Sequence, residues 1–215
     1  KICRGFFWYY FEPNTAPGPY VREDVADPCR PVRFNEDSGW LIRFYYYMNR
    51  ISIEVFHALA DGAGTMTFFK AVLAEYLRLR GADIPSGEGI IADLDEPPPA
   101  AEREDAYLRY AGKASRALPR VARAYQNRGT PEPFYTFHVT MGFLSVSELR
   151  DKARSYGASV TEYLAAVLMK LLIEKQRRER PLRERPVTLA VPVNLRSFFP
   201  SETLRNFILT VQPSV

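Results

Sequence analysis

The stretch SIEVFHALADGAG, residues 52–64, sets a histidine at the end of an aliphatic run and places an Asp-Gly pair four residues later. The chain has only two histidines, His57 and His138, so a titratable ring at this point needs an explanation. In an extended strand Ile51, Ile53 and Val55 share one face while Ser52 and Glu54 take the other. The same parity puts His57 with the apolar set, so the ring is expected to emerge from packed structure rather than from a loose loop. Upstream, GWLIRFYYYMNRISIEVF (residues 39–56) reads as a β-hairpin turning at Met48-Asn49-Arg50, where Asn tolerates the positive φ such turns need. Downstream, a helix is expected from Thr65, capped by that residue, with Phe69, Val72, Leu73 and Tyr76 as its apolar stripe and Gly81 at its stop. Strand, histidine loop and amphipathic helix in immediate succession define an αβ unit.

His57, Asp61 and Gly62 form the pattern H-x-x-x-D-G. A positioned neutral imidazole can take a proton from a hydroxyl, amine or thiol as it attacks a carbonyl. Asp61 sits too close along a tight turn to serve as the partner of a catalytic triad. Its expected role is structural: a carboxylate that pairs with a distant cation and fixes the loop presenting His57. Gly62 is expected to let the chain turn sharply and approach a ligand or a helix start. Two plainer readings compete. Asp-Gly is a common turn dipeptide, and a histidine with core-side parity is often a satisfied buried ring. From average residue usage the pattern arises by chance in roughly one or two chains per hundred of this length, so its placement between strand and helix carries more weight than its spelling.

The rest of the chain mixes α and β signals without an internal repeat. Residues 1–11 are aromatic and read as a strand. The proline-rich EPNTAPGPYVREDVADPCRPVRF (residues 12–34) reads as an extended surface segment. Residues 82–104, with SGEG and DEPPPA, read as a loop or linker. A basic, partly helical segment follows over 105–127, interrupted near Pro119. PFYTFHVTMGFLS (residues 133–145) reads as a strand that carries His138 facing a sheet or solvent. Two helices follow, SVSELRDKARSYG, capped by Ser145 and Ser147 and stopped by Gly157, and SVTEYLAAVLMKLLIEKQRR. PVTLAVPVNLR and RNFILTVQ read as further strands. These signals predict an α/β, or α+β sandwich, architecture: a mixed sheet with helices packed on it, divided over residues 1–104 and 132–215 by a connection at 105–131.

At 215 residues the chain can bury one large core or two modest ones. A net charge of +4 with 25 acidic residues interspersed argues against a nucleic-acid partner. The basic run KQRRERPLRER (residues 175–185) suits a solvated helix end. Two cysteines in unlike contexts, with no metal-ligand spacing, lead to the expectation of a reduced cytoplasmic protein without a metal. No apolar run reaches the roughly 18 residues of a membrane span. There is no G-x-S-x-G elbow, P-loop or dinucleotide fingerprint. The chain starts at Lys1 inside a strand-like run and ends just after another, so a fragment of a longer protein is expected.

ISIEVFHALADGAGTMTFFKAVLAEYL resembles the motif region of the CoA-dependent acyltransferase superfamily, which includes chloramphenicol acetyltransferase, plant BAHD acyltransferases, condensation domains of nonribosomal peptide synthesis and alcohol acetyltransferases. LSVSELRDKARSYGASVTEYLAAVLMKLL and VTLAVPVNLRSFFPSETLRNF resemble the start of the second half of condensation-type proteins, and the nearest likeness is to bacterial alcohol acetyltransferase-like members. The resemblance covers nearly the whole chain but only the middle of a longer family member. It implies a chloramphenicol acetyltransferase-like fold whose two subdomains begin in residues 1–104 and 132–215. It also implies acyl transfer from a thioester, on CoA or a carrier protein, to a small hydroxyl or amine acceptor, with His57 as general base and no tightly bound cofactor. In such proteins the motif aspartate pairs with an arginine; Arg196 is the first candidate and Arg205 the second. Asn194, Arg196 and Asn206 are the implied tunnel-side polar groups. A second copy is a possible partner, since some relatives build the site between subunits. Condensation domains usually carry two adjacent histidines, whereas Phe56 precedes His57 here, which tilts the expectation toward simple acyl transfer. The DFGWG signature of the plant enzymes is absent. The alternative is a non-catalytic binding or scaffold module of the same fold.

Overall fold

The computed structural model describes residues 1–24, 29, 31, 33, 37–86, 96–112, 122–133, 136, 139–179 and 183–215. They form a mixed α and β chain with small sheets and a few helices, of the α+β kind, in two compact units. The first unit is built from Lys1–Gly112 and Asn194–Ile208, the second from Lys113–Val193 and Leu209–Val215.

In the first unit, residues 1–11 make two short strands where one was expected. β1 (Ile2–Arg4) pairs antiparallel with β2 (Tyr9–Phe11). The run breaks because Gly5 N–H donates to the Trp8 carbonyl at 2.7 Å, closing a turn. β3 (Val21–Glu23) comes from the proline-rich stretch read as an extended surface segment, and pairs in parallel with β4 (Ile42–Tyr47). β4 and β5 (Arg50–Val55) form the expected hairpin, in register from Ile42↔Val55 to Tyr47↔Arg50. The positive φ falls on Met48, at 51°, rather than on Asn49. A positive φ at the first central residue alone is the pattern of a type II′ turn.

α1 (Gly62–Leu79) starts earlier than expected, with Asp61 rather than Thr65 as its N-cap. Both residue types cap helices, but Thr65 N–H is already used inside the first turn, donating to the Asp61 carbonyl at 2.9 Å. The stop is as expected. Gly81 adopts φ 89°, its N–H donates to Arg78 O at 2.8 Å, and Ala82 N–H reaches back to Leu77 O at 3.0 Å, the paired bonds of a Schellman cap. The stripe is displaced: Gly64 and Ala74 are the buried positions, and Tyr76 is exposed. Two short helices, α2 (Ala100–Arg103) and α3 (Ala106–Tyr110), occupy parts of the expected linker and basic segment. The neighbouring residues 87–95 and 113–121, Pro119 included, lie outside the described set.

In the second unit, α4 (Val146–Ser155) and α5 (Val160–Arg178) match the two expected helices and are bent 78° from one another. Ser145 caps α4, accepting from Glu148 N–H, while Ser147 bonds the Ser145 hydroxyl instead of the helix. Ser159 and Glu162 cap α5 reciprocally. Gln176, buried at the far end of α5, is bonded at both ends to the Arg185 backbone, at 2.9 and 3.0 Å. β6 (Val191–Asn194) and β7 (Ile208–Val211) form a two-stranded sheet, of which Val191–Val193 and Leu209–Val211 belong to this unit. The strand expected over 133–145 is not formed by residues 136 and 139–145. Val139, Met141, Phe143 and Leu144 are exposed there: the alternating pattern finds no sheet edge among the described residues, and an unpaired strand has no ladder to hold it. His138 lies outside the described residues. No single described helix is long and apolar enough to cross a membrane.

Candidate functional site

The strand ends before the histidine. Phe56 N–H makes the last bond to Leu41 O, at 2.9 Å, and Leu59 N–H then closes a turn onto Phe56 O at 2.8 Å. His57 is therefore carried at the start of that turn and is exposed, not held on the Ile53/Val55 face as the strand parity predicts. Among the described residues its imidazole makes no hydrogen bond, and Asn206 Nδ2 donates to its backbone carbonyl at 2.7 Å.

Asp61 is the fixed point of the site. It is 2% exposed and accepts three bonds: from Gly64 N–H at 2.9 Å on Oδ1, and from Arg196 Nη1 at 2.7 Å and Phe207 N–H at 2.8 Å on Oδ2. One carboxylate thus caps α1 and grips the segment Asn194–Ile208. Arg196, not Arg205, is the partner; Arg205 pairs with Asp105 at 3.6 Å. The Arg196 guanidinium also donates to the carbonyls of Thr203 and Arg205 and to Asn194 Oδ1. Every donor nitrogen of that fork is used, which suits Arg rather than Lys at this place.

Burial alone would raise the Asp61 pKa. The bond from Arg196, the Gly64 and Phe207 N–H groups and the Arg196 charge outweigh it, and the carboxyl is held below its ordinary value. A carboxylate depressed on folding contributes stability that is complete above its unfolded pKa and disappears as pH falls through the folded one. The melting-temperature advantage over Asp61→Asn is therefore expected to be constant above about pH 5 and to shrink below about pH 4. Parallel melting curves of the two proteins down to acid would refute this.

The segment that reaches Asp61 is held against α2 and α3. Leu204 N–H donates to Glu102 O at 2.8 Å, and buried Thr203 Oγ1 donates to Glu104 O at 2.7 Å. Tyr110 Oη donates to Pro200 O at 2.5 Å. Tyr107 Oη accepts from Ile208 N–H at 2.8 Å and donates to the Ile208 carbonyl. Phe207, 1% exposed, packs edge-on to Tyr107 and stacks with Tyr110, at centroid distances of 5.4 and 5.8 Å.

Gly62 opens α1, the helix start expected of it, but neither its backbone nor its described neighbours require a glycine there. A Cβ there meets nothing within 4 Å, and its φ is not positive. The close approach falls on Gly64, where a Cβ would lie 1.9 Å from Leu204 O. Sequence reading passed over it, although a glycine inside a helix costs about 1 kcal/mol relative to Ala and so hints at a packing reason. Gly64→Ala should destabilise the fold by about 1–3 kcal/mol or more, while Gly62→Ala should be neutral or stabilise by up to about 1 kcal/mol. Urea unfolding of both variants checks the pair, and equal midpoints would contradict it.

Of the expected site residues, His57, Asp61, Asn194, Arg196 and Asn206 come together in the first unit. Asn194 acts through Arg196, accepting from its N–H at 3.1 Å and from Nη1 at 3.2 Å. Asn206 Oδ1 is buried and has no hydrogen-bond partner among the described residues, a cost of about 1–3 kcal/mol by general experience. A groove of about 420 Å³ in the second unit, lined by α5 residues and Val215, includes none of these side chains. Among the described residues no group of three His, Cys, Asp or Glu is placed to hold a metal ion.

Comparison with family models, with curated proteins and with solved structures returned no match for this chain. The site is therefore interpreted from its own chemistry. It consists of an exposed imidazole on a short turn, and a carboxylate four residues on whose two oxygens both accept bonds from groups other than that imidazole.

Proposed function

We propose that this chain is part of an acyltransferase of chloramphenicol acetyltransferase-like fold, in which His57 is the general base. The imidazole takes the proton of a hydroxyl or amine acceptor as that group attacks a thioester carbonyl, and the thiol leaves. The donor is an acyl-CoA or acyl-carrier thioester serving as co-substrate, with no resident cofactor. The observation that carries the reading is the division of labour in H-x-x-x-D-G. Asp61 is buried and bonded to Gly64, Phe207 and Arg196, so it braces the bend, while the His57 ring is exposed and makes no hydrogen bond among the described residues. A free base on a fixed bend is what proton removal from a diffusing acceptor requires. Both cysteines are free thiols, which supports a reducing, cytoplasmic setting.

One observation favours the rival, a binding module that keeps the fold without the chemistry. No third group orients the imidazole among the described residues, whereas catalytic bases are commonly oriented by one. Incubating the intact protein with acetyl-CoA and a panel of alcohols and amines, and following free thiol, separates the two. Acceptor-dependent thiol release supports the enzyme, and its absence with every donor and acceptor, acyl-carrier thioesters included, supports the module.

A further inference from the structure

We propose that Asn206 is a positioning residue for His57: its side-chain amide sets the place of the turn that carries the imidazole while adding little to the stability of the fold. The bond from Nδ2 to the His57 carbonyl, at 2.7 Å, is the only hydrogen bond among the described residues that ties residues 57–59 to a distant part of the chain. Asn206 is itself well placed to act as a reference, because Phe207 next to it is clamped by Asp61 and by the rings of Tyr107 and Tyr110.

The orientation of the amide is decided by its partner. A carbonyl only accepts, so the nitrogen must face His57, and Oδ1 is left buried without a donor among the described residues. The two ends of this side chain thus act oppositely on stability: one bond gained, one buried acceptor unsatisfied. Removing the whole amide removes both, and water can take over the carbonyl of exposed His57. What does not cancel is geometry, since without Nδ2 the turn loses its anchor. The inference rests on the acyl-transfer reading for its kinetic consequence, but not for its structural one.

The test uses Asn206→Ala and the near-isosteric Asn206→Leu in the intact protein, with three readouts. The melting temperature should stay within about 3 °C of the parent. Amide hydrogen exchange at Leu59, whose N–H closes the turn onto Phe56, should accelerate about tenfold or more while α1 and β5 keep their protection. In acyl transfer, kcat should fall about tenfold or more at unchanged KM. Unchanged exchange at Leu59 in both variants overturns the proposal. So does a large melting loss with faster exchange throughout α1 and β5, the signature of a merely structural residue. If leucine is not accommodated, the alanine variant decides. Should the parent protein transfer no acyl group, the acyltransferase reading falls, and the exchange data still decide whether Asn206 places the turn.

Discussion

His57→Ala in the intact protein is expected to lower turnover by about 10²–10⁴, the range for losing a general base, and to leave the melting temperature almost untouched. Both halves follow from the same geometry. The ring is exposed and makes no hydrogen bond among the described residues, so its removal strands no buried partner, and a surface substitution of this kind stays within about 0.5 kcal/mol. The bond that places the turn runs through the backbone carbonyl, which alanine retains. KM for the acyl donor should therefore change little, since in the proposed reaction the imidazole acts on the proton that leaves in the transition state rather than on ground-state binding. Steady-state kinetics with acetyl-CoA and the best acceptor, beside a thermal melt, measure the split. A variant that keeps most of the parent's rate would remove His57 from the reaction. One that loses rate and stability together would make it a structural residue.

The braced bend around Asp61 was legible in the sequence where local rules apply. A carboxylate at a tight bend beside a strand needs a cation, but that the cation is Arg196 was implied by the family resemblance and not by any local rule. The stops at Gly81 and Gly157 followed from the need for positive φ. Parity failed at His57 because the strand ends at Val55 and hands over to a turn, and no local signal distinguishes a strand's last residue from the next. Thr65 and Asp61 are both good caps; the choice was made 135 residues away, where Arg196 fixes the carboxylate at the helix start. Gly64, Thr203 and Asn206 matter only because the segment 194–208 returns to this place, and that register is a tertiary fact. The same holds for residues 139–145, whose strand-like pattern could not announce the lack of a sheet edge.

The second large effect concerns the pair beneath the bend. Arg196→Met is expected to cost about 3–5 kcal/mol, because it leaves the Asp61 carboxylate, 2% exposed, with two backbone N–H groups and no counter-charge. Asp61→Ala should cost a similar amount by a different route, leaving the Arg196 side chain, 15% exposed, without its counter-charge and uncapping α1. The double variant should cost clearly less than the sum, since neither charge is then stranded; a coupling of about 1.5–3 kcal/mol from urea unfolding is the expected reading. Additive losses would mean that the two residues act independently and that the ion pair contributes geometry alone. The kinetic signature should also differ from that of His57→Ala. With the bend released, turnover and stability fall together, and lowering the temperature should restore part of the rate by repopulating the ordered turn. A base that has been deleted cannot be restored by cooling. The temperature dependence of kcat in His57→Ala and in Arg196→Met therefore distinguishes the group proposed to move the proton from the pair proposed to hold it in place.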